Sequence, residues 1–193
     1  MNKDEKLGIT KDKLLRAAMS LMEETDDPLS VTSRQIADRA GVKASMINYC
    51  FGSREELLHK TFEKEYLHFL DKENVKGIVD SDMTPKDKLK KLHFIVSKCI
   101  IENYNFTKVI TSFVLFRRDL SEPSFSSGLV SMHYKGRKTD EECRLIAYEL
   151  STMMQLMIYR KDEIKKGFGI DLDDDEVLRN VISMRVDLLL GGE

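Results

Sequence analysis

Proline is scarce in this chain, with three among 193 residues, at positions 28, 85 and 123. Each falls near a break in the apolar periodicity, so the prolines mark boundaries and leave the stretches between them free to be helical. Cysteine is equally sparse: Cys50, Cys99 and Cys143 lie far apart, with no Cys-x-x-Cys pair. That argues against a disulfide framework or a thiolate zinc site and for reduced, packed thiols. Apolar runs of the roughly 20 residues needed to cross a bilayer are missing, so no membrane partner is expected. The opening MNKDEKLGITKDK is charged where a secretory leader would have its apolar core, which points to the cytosol. No one sign of charge dominates. The net charge of −2 excludes a uniformly basic nucleic-acid coat, while leaving room for a local basic face.

Catalytic signatures are also missing. There is no G-x-S-x-G, no phosphate-cradling glycine loop, no H-E-x-x-H and no Cys/His pair at suggestive spacing, so no catalytic residue and no cofactor are expected. The acidic DLDDDE at Asp171–Glu176 lacks the glycine and distal glutamate of an EF-hand loop, and reads as the cap of the last helix. Glu55, His59 and Glu63 lie one turn apart, a spacing met far more often on a solvated helix face than in a metal site. No metal site is expected.

What the chain does contain is helical periodicity almost throughout, without sustained strand-type alternation. A first helix is expected from Thr10 as N-cap, with Leu14, Leu15, Ala18, Leu21 and Met22 inward. Thr32 and Gln35 form a T-x-x-Q capping box that opens a second helix, and Gly41 ends it by taking the left-handed conformation. A short third helix covers about Ala44 to Tyr49. Ser53 and Glu56 repeat the box and launch a fourth helix, continuous through about residues 54–72. The charge-rich DKENVKGIVDSDMT reads as a break, after which Thr84-Pro85 starts a helix with Asp87 in its first turn. An apolar run follows at about Phe106 to Arg118. SEPSFSSGLVSMHYKGRKT reads as irregular with one short helix at most, and two long helices close the chain, at about Asp140 to Lys166 and Asp174 to Leu190.

The stretch TSRQIADRAGVKASMINYCFGSREEL, Thr32 to Leu57, joins two of these helices through a glycine corner. Ile36, Ala37, Ala40, Val42 and Ile47 are small or apolar enough for a close crossing. Ser33, Arg34, Lys43, Ser45, Asn48 and Tyr49 remain on the outside to bond phosphates and base edges. Between Pro28 and Arg54 four cations face one anion, a surplus of three in a chain that is negative overall. From the spacing alone, an ordinary helical pair with surface charges is an equally open reading.

This stretch closely resembles the DNA-binding signature of TetR-like transcriptional regulators, in which a helix ending I-A-x-x-A-G-V is followed by a reader helix and an aromatic-x-F-x-S-K-E-E-L run. The resemblance spans Thr10 to Leu58; beyond about residue 72 only length and helical character agree. Lys43, Ser45, Cys50 and Arg54 depart from the family's frequent Ser, Gly, His and Lys, which leaves the base preference open. The resemblance implies an all-α fold: a three-helix DNA-binding domain with a helix-turn-helix at residues 9–54, fused to a larger helical effector-binding and dimerisation domain at 55–193. It implies that Thr32, Ser33 and Arg34 meet the DNA backbone, that Lys43, Ala44, Ser45 and Asn48 line the major groove, that Tyr49 touches backbone and that Arg54 clamps a phosphate. For Tyr49, packing against the third helix is the alternative. Asn48 is suited to an adenine edge and the Ala44 methyl to a thymine methyl.

So short a reader needs a second copy about 34 Å away on a near-palindromic operator, so a homodimer is expected. The closing segments ECRLIAYELSTMMQLMIYRKDEI and DEVLRNVISMRVDLLL are apolar over more than one face, which suits a four-helix interface between two copies; two interior helices of a monomer would look similar. Phe94, Tyr104, Phe113, Phe116, Met153 and Met157 are candidates to surround a small-molecule effector, although aromatic and methionine stripes are usually plain core. The expectation is a ligand-responsive repressor released from its double-stranded DNA operator by a small molecule. The alternatives are a helical protein–protein adaptor and a small all-α enzyme.

Overall fold

The computed structural model of the chain describes every residue except 1, 2, 26, 105, 106, 109, 110, 112–114, 117, 118, 122, 123, 192 and 193. The described residues are helical or irregular, with no strand among them. In chain order the continuously described α-helices are α1 Lys3–Glu23, α2 Ser33–Ala40, α3 Ser45–Phe51, α4 Arg54–Lys72, α5 Val75–Val79, α6 Pro85–Glu102, α7 Phe125–Tyr134, α8 Asp140–Tyr159, α9 Lys161–Phe168 and α10 Asp175–Leu190. The chain divides into two compact units, one of residues 1–68 and 103–117, the other of residues 69–102 and 118–193.

The first unit is built around α1 to α3 and the start of α4. Leu14, Ala18 and Met22 from α1 meet Ile36 from α2, Ile47 from α3 and Leu57 and Leu58 from α4 in one apolar cluster. These side chains recur at helical spacing, and their removal from water is what holds three short helices together. Helix α1 starts earlier than its sequence suggests. Thr10 is not a cap but lies inside the helix, where its hydroxyl donates to the Lys6 carbonyl at 2.9 Å. A threonine bonded back by one turn loses its capping signal, and the charged Lys3–Lys6 turn carries no apolar residue to reveal itself.

The second unit has its own core, in which Leu89 and Leu92 of α6 pack with Val130 of α7, Leu150 and Met154 of α8 and Leu178 and Ile182 of α10. Two sequence expectations change here. The break after α4 contains α5, whose start is set by Asn74 in the left-handed region at φ +52°, with its side chain accepting from the Gly77 amide at 3.2 Å. The irregular-looking piece contains one helix, the ten-residue α7, as its sequence allowed. The helix expected over Asp140–Lys166 is interrupted at Arg160, whose backbone leaves helical geometry at φ −107° and ψ 24°. No proline or glycine marks that break. Thr139 opens α8 with a reciprocal capping box to Glu142, and Asp174 caps α10 by accepting from the Glu176 and Val177 amides, as the DLDDDE reading requires. Neighbouring Asp173 and Asp171 pair with Lys161 and Lys165, fixing α9 against the same turn. Cys99 and Cys143 are buried and Cys50 half-buried, all three as free thiols.

Candidate nucleic-acid interface

The geometry of the α2–α3 corner follows from its caps. The Thr32 amide donates to Gln35 Oε1 at 2.8 Å, and the Gln35 amide donates to Thr32 Oγ1 at 3.2 Å, so the box satisfies both free ends. At the other end Gly41 takes φ +67°, and its amide reaches back to Ala37 and Asp38. The Val42 amide then bonds the Ala37 carbonyl at 3.0 Å, which closes the turn and points the chain into α3. Gly52 stops α3 with a second positive φ, +84°. The Ser53 hydroxyl accepts from the Glu56 amide at 3.0 Å and starts α4.

Within α3 Ile47 is fully buried and Met46, Cys50 and Phe51 pack half-buried on the same core, so the helix is anchored along one side and turns the other outward. Lys43, Ala44, Ser45 and Asn48 are exposed, and Tyr49 is 62% exposed. Five of the residues named from the sequence are therefore gathered on one short outward surface. Thr32 and Arg34 are exposed at the start of α2 and Ser33 is half-buried beside them. Arg34 stands 3.9 Å from Asp38, both nearly free in solvent.

Two of the four cations are engaged elsewhere. Arg39 makes a bidentate contact with Glu24 at 2.8 Å per arm and also donates to Ser20 at 2.9 Å, clasping α2 to α1. The Arg39 guanidinium, together with the Ser20 hydroxyl, holds the Glu24 carboxyl down at about 2. Arg54 is only one-fifth exposed; its Nε donates to the Val31 carbonyl, and a terminal nitrogen meets Glu55 at 3.2 Å. A residue read from the sequence as a phosphate clamp thus ties the start of α4 to the segment leading into α2. Neither connection has a local signature, because each joins residues far apart along the chain. Lys11 of α1 has none either, although it is close enough to Cys50 to favour the thiolate; burial outweighs it and pushes that thiol up.

The six residues named for a ligand are divided between the two units. Phe94 is half-buried in the second unit, with the Arg179 guanidinium 3.5 Å from its ring centroid, at the wall of an open cleft of about 430 Å³. Met157 packs on that unit's core, whereas Met153 is 41% exposed. Tyr104 and Phe116 belong to the first unit: Tyr104 carries the Lys108 ammonium over its ring at 4.6 Å, and Phe116 is exposed. Phe113 lies outside the described residues.

A capped helix, a left-handed glycine corner and a short helix anchored along one side by Ile47 and its half-buried neighbours define a helix-turn-helix module. Residues 14–61 match the family described as bacterial regulatory proteins, tetR family. Over nearly its whole length the chain also has the fold of solved TetR-like regulators. It is similar to a TetR transcriptional regulator from Rhodococcus sp. RHA1, with a TM-score of 0.60 and 15% identity over 98% of this chain and 99% of that one. A second TetR-like regulator from the same source gives 0.54 and 16%, covering 95% and 97%. The fatty acid degradation regulator FadR from Bacillus halodurans gives 0.56 and 19%, covering 95% of each chain. No curated protein matches the chain.

Proposed function

We propose that the protein is a ligand-responsive repressor that binds a near-palindromic operator as a homodimer. The observation that carries this reading is the outward surface of α3. Ile47 is buried, while Lys43 and Ala44 just before the helix and Ser45, Asn48 and Tyr49 on it are exposed, as are Thr32 and Arg34 at the start of α2 with Ser33 half-buried between them. Asn48 bonds an adenine edge, Ala44 meets a thymine methyl, and Lys43 with Tyr49 holds backbone.

Pairing is supported by the closing helices. Along α8, Leu145, Tyr148, Leu156 and Tyr159 are exposed large side chains at three- and eight-residue spacings, on the side away from buried Ala147, Leu150, Met154 and Ile158. Met184 and Leu188 add an exposed stripe on α10. A second copy covering both stripes places two readers on one DNA face. Effector binding in the second unit then lowers operator affinity by favouring a different reader spacing.

Gel shift on DNA selected from a random pool, with a salt titration, tests the reading. The expected result is a two-fold-symmetric site with binding that weakens as salt rises. An adaptor or an enzyme would show no sequence preference, and that result would end the proposal.

A further inference from the structure

Helix α6 carries five lysines, and four have partners within the second unit. Lys86 and Lys90 both pair with Asp187, at 3.0 and 2.8 Å. The Lys88 ammonium caps α5 through the Val79 carbonyl at 2.7 Å. Lys98 meets Asp175 at 2.9 Å and Glu102 at 3.7 Å. Lys91 is the exception: it has no partner among the described residues, and it stands at the cleft beside Phe94. The second cation there, Arg179, stands over the Phe94 ring with its guanidinium carbon 3.5 Å from the centroid, a separation that suits stacking. Stacking occupies the face of a guanidinium and leaves its in-plane N–H donors to bond something else, yet no described carboxylate pairs with it.

The remaining lining completes a binding chemistry. Ile78 and Met83 supply apolar surface, while Glu73 is the one carboxylate present. Two cations against one anion leave a single positive charge over an apolar wall. The wall is also fixed in advance, since Asn74 holds the start of α5 and Lys88 holds its end. The volume, about 430 Å³, falls in the range of small-ligand sites.

We infer that this cleft is a seat for an amphipathic monocarboxylate, its carboxylate held by Arg179 and Lys91 and its apolar body laid on Ile78 and Met83. The inference rests on the effector-responsive reading above, to which it adds the chemical class of the effector. A carboxylate accepts two parallel bonds from the guanidinium edge, and Lys91 supplies the second charge. Glu73 disfavours a dianion and would attract a cation were Lys91 and Arg179 not opposite it.

Calorimetric titration of the full-length protein with decanoate, decanol and decyltrimethylammonium, each below its micelle concentration, tests this. Decanoate is expected to bind, decanol roughly tenfold more weakly, and the cation not at all. R179Q and K91Q should each weaken decanoate by roughly three- to tenfold and leave decanol unchanged. Thermal melts should show both variants folded, because neither side chain is part of the core. Decanoate binding no tighter than decanol, or unchanged in the R179Q/K91Q double variant, overturns the inference. The same preparations are tested on selected operator DNA. Intact operator binding without decanoate binding removes only the monocarboxylate seat, whereas decanoate binding without any operator preference keeps the seat and removes the repressor reading.

Discussion

Replacing Arg54 by alanine separates two roles that the sequence alone merges. Its Nε donates to the carbonyl of Val31, a residue only 3% exposed, immediately before the N-cap of α2. A charge-assisted bond of this kind is worth about 1.5–3 kcal/mol, and the one-fifth exposure of the arginine places the expected loss toward the lower end, about 1.5–2 kcal/mol. Urea denaturation followed by helical circular dichroism would show this as a lower midpoint with an unchanged slope. R54K keeps the charge but not the planar Nε donor, so it should lose nearly as much stability while leaving operator binding at matched salt close to that of the parent. If Arg54 mainly clamps a phosphate, the pattern reverses. R54A would then melt like the parent, and the slope of log affinity against log salt would flatten by about 0.9 for each phosphate no longer neutralised. R54A within about 0.5 kcal/mol of the parent would refute the tether.

Three further outcomes follow from the same geometry. N48A should relax discrimination at one base pair per half-site by about 1–3 kcal/mol with the salt slope unchanged, as read by selection from random DNA. L188E, at an exposed α10 position, should sediment as a folded monomer and lose most of its operator affinity; a dimer by sedimentation would rule out that interface. Burial holds the His93 imidazole down at about 4, with Nε2 against the Ser126 hydroxyl at 3.0 Å. The unfolded chain takes up this proton below about 6.5 while the folded chain refuses it until about 4. Stability is therefore full above that range and falls by roughly 3 kcal/mol as pH drops through it. H93Q should remove the pH 7 to 4.5 difference in urea midpoint attributable to this group.

The helix-turn-helix was legible because its determinants are local. A box three residues long at Thr32 and Gln35, and a glycine needing positive φ at position 41, act within a single turn, so the sequence displays them directly. The same logic at Thr139 and Glu142 is equally local and sets the start of α8 at Asp140. Thr10 misled because a hydroxyl bonds a carbonyl four residues back as readily as it caps an amide ahead, and only packing decides between them. The interruption at Arg160 and the five-residue α5 depend on how neighbouring helices fit, which no short window records. The engaged state of Arg39 and Arg54 is non-local in the same way: composition counts four cations, but their partners come from other elements.

The clasp between Arg39 and Glu24 has a consequence for how the protein would search a chromosome. With that guanidinium sequestered and Arg54 turned toward Val31, Lys43 and the solvent-facing Arg34 are what remains of the cations between Pro28 and Arg54 to displace condensed counterions. Few ions released per encounter means short dwell on random sequence; under the proposed dimeric reading, such a regulator would sample many sites quickly and depend on simultaneous engagement by both readers to linger at the right one.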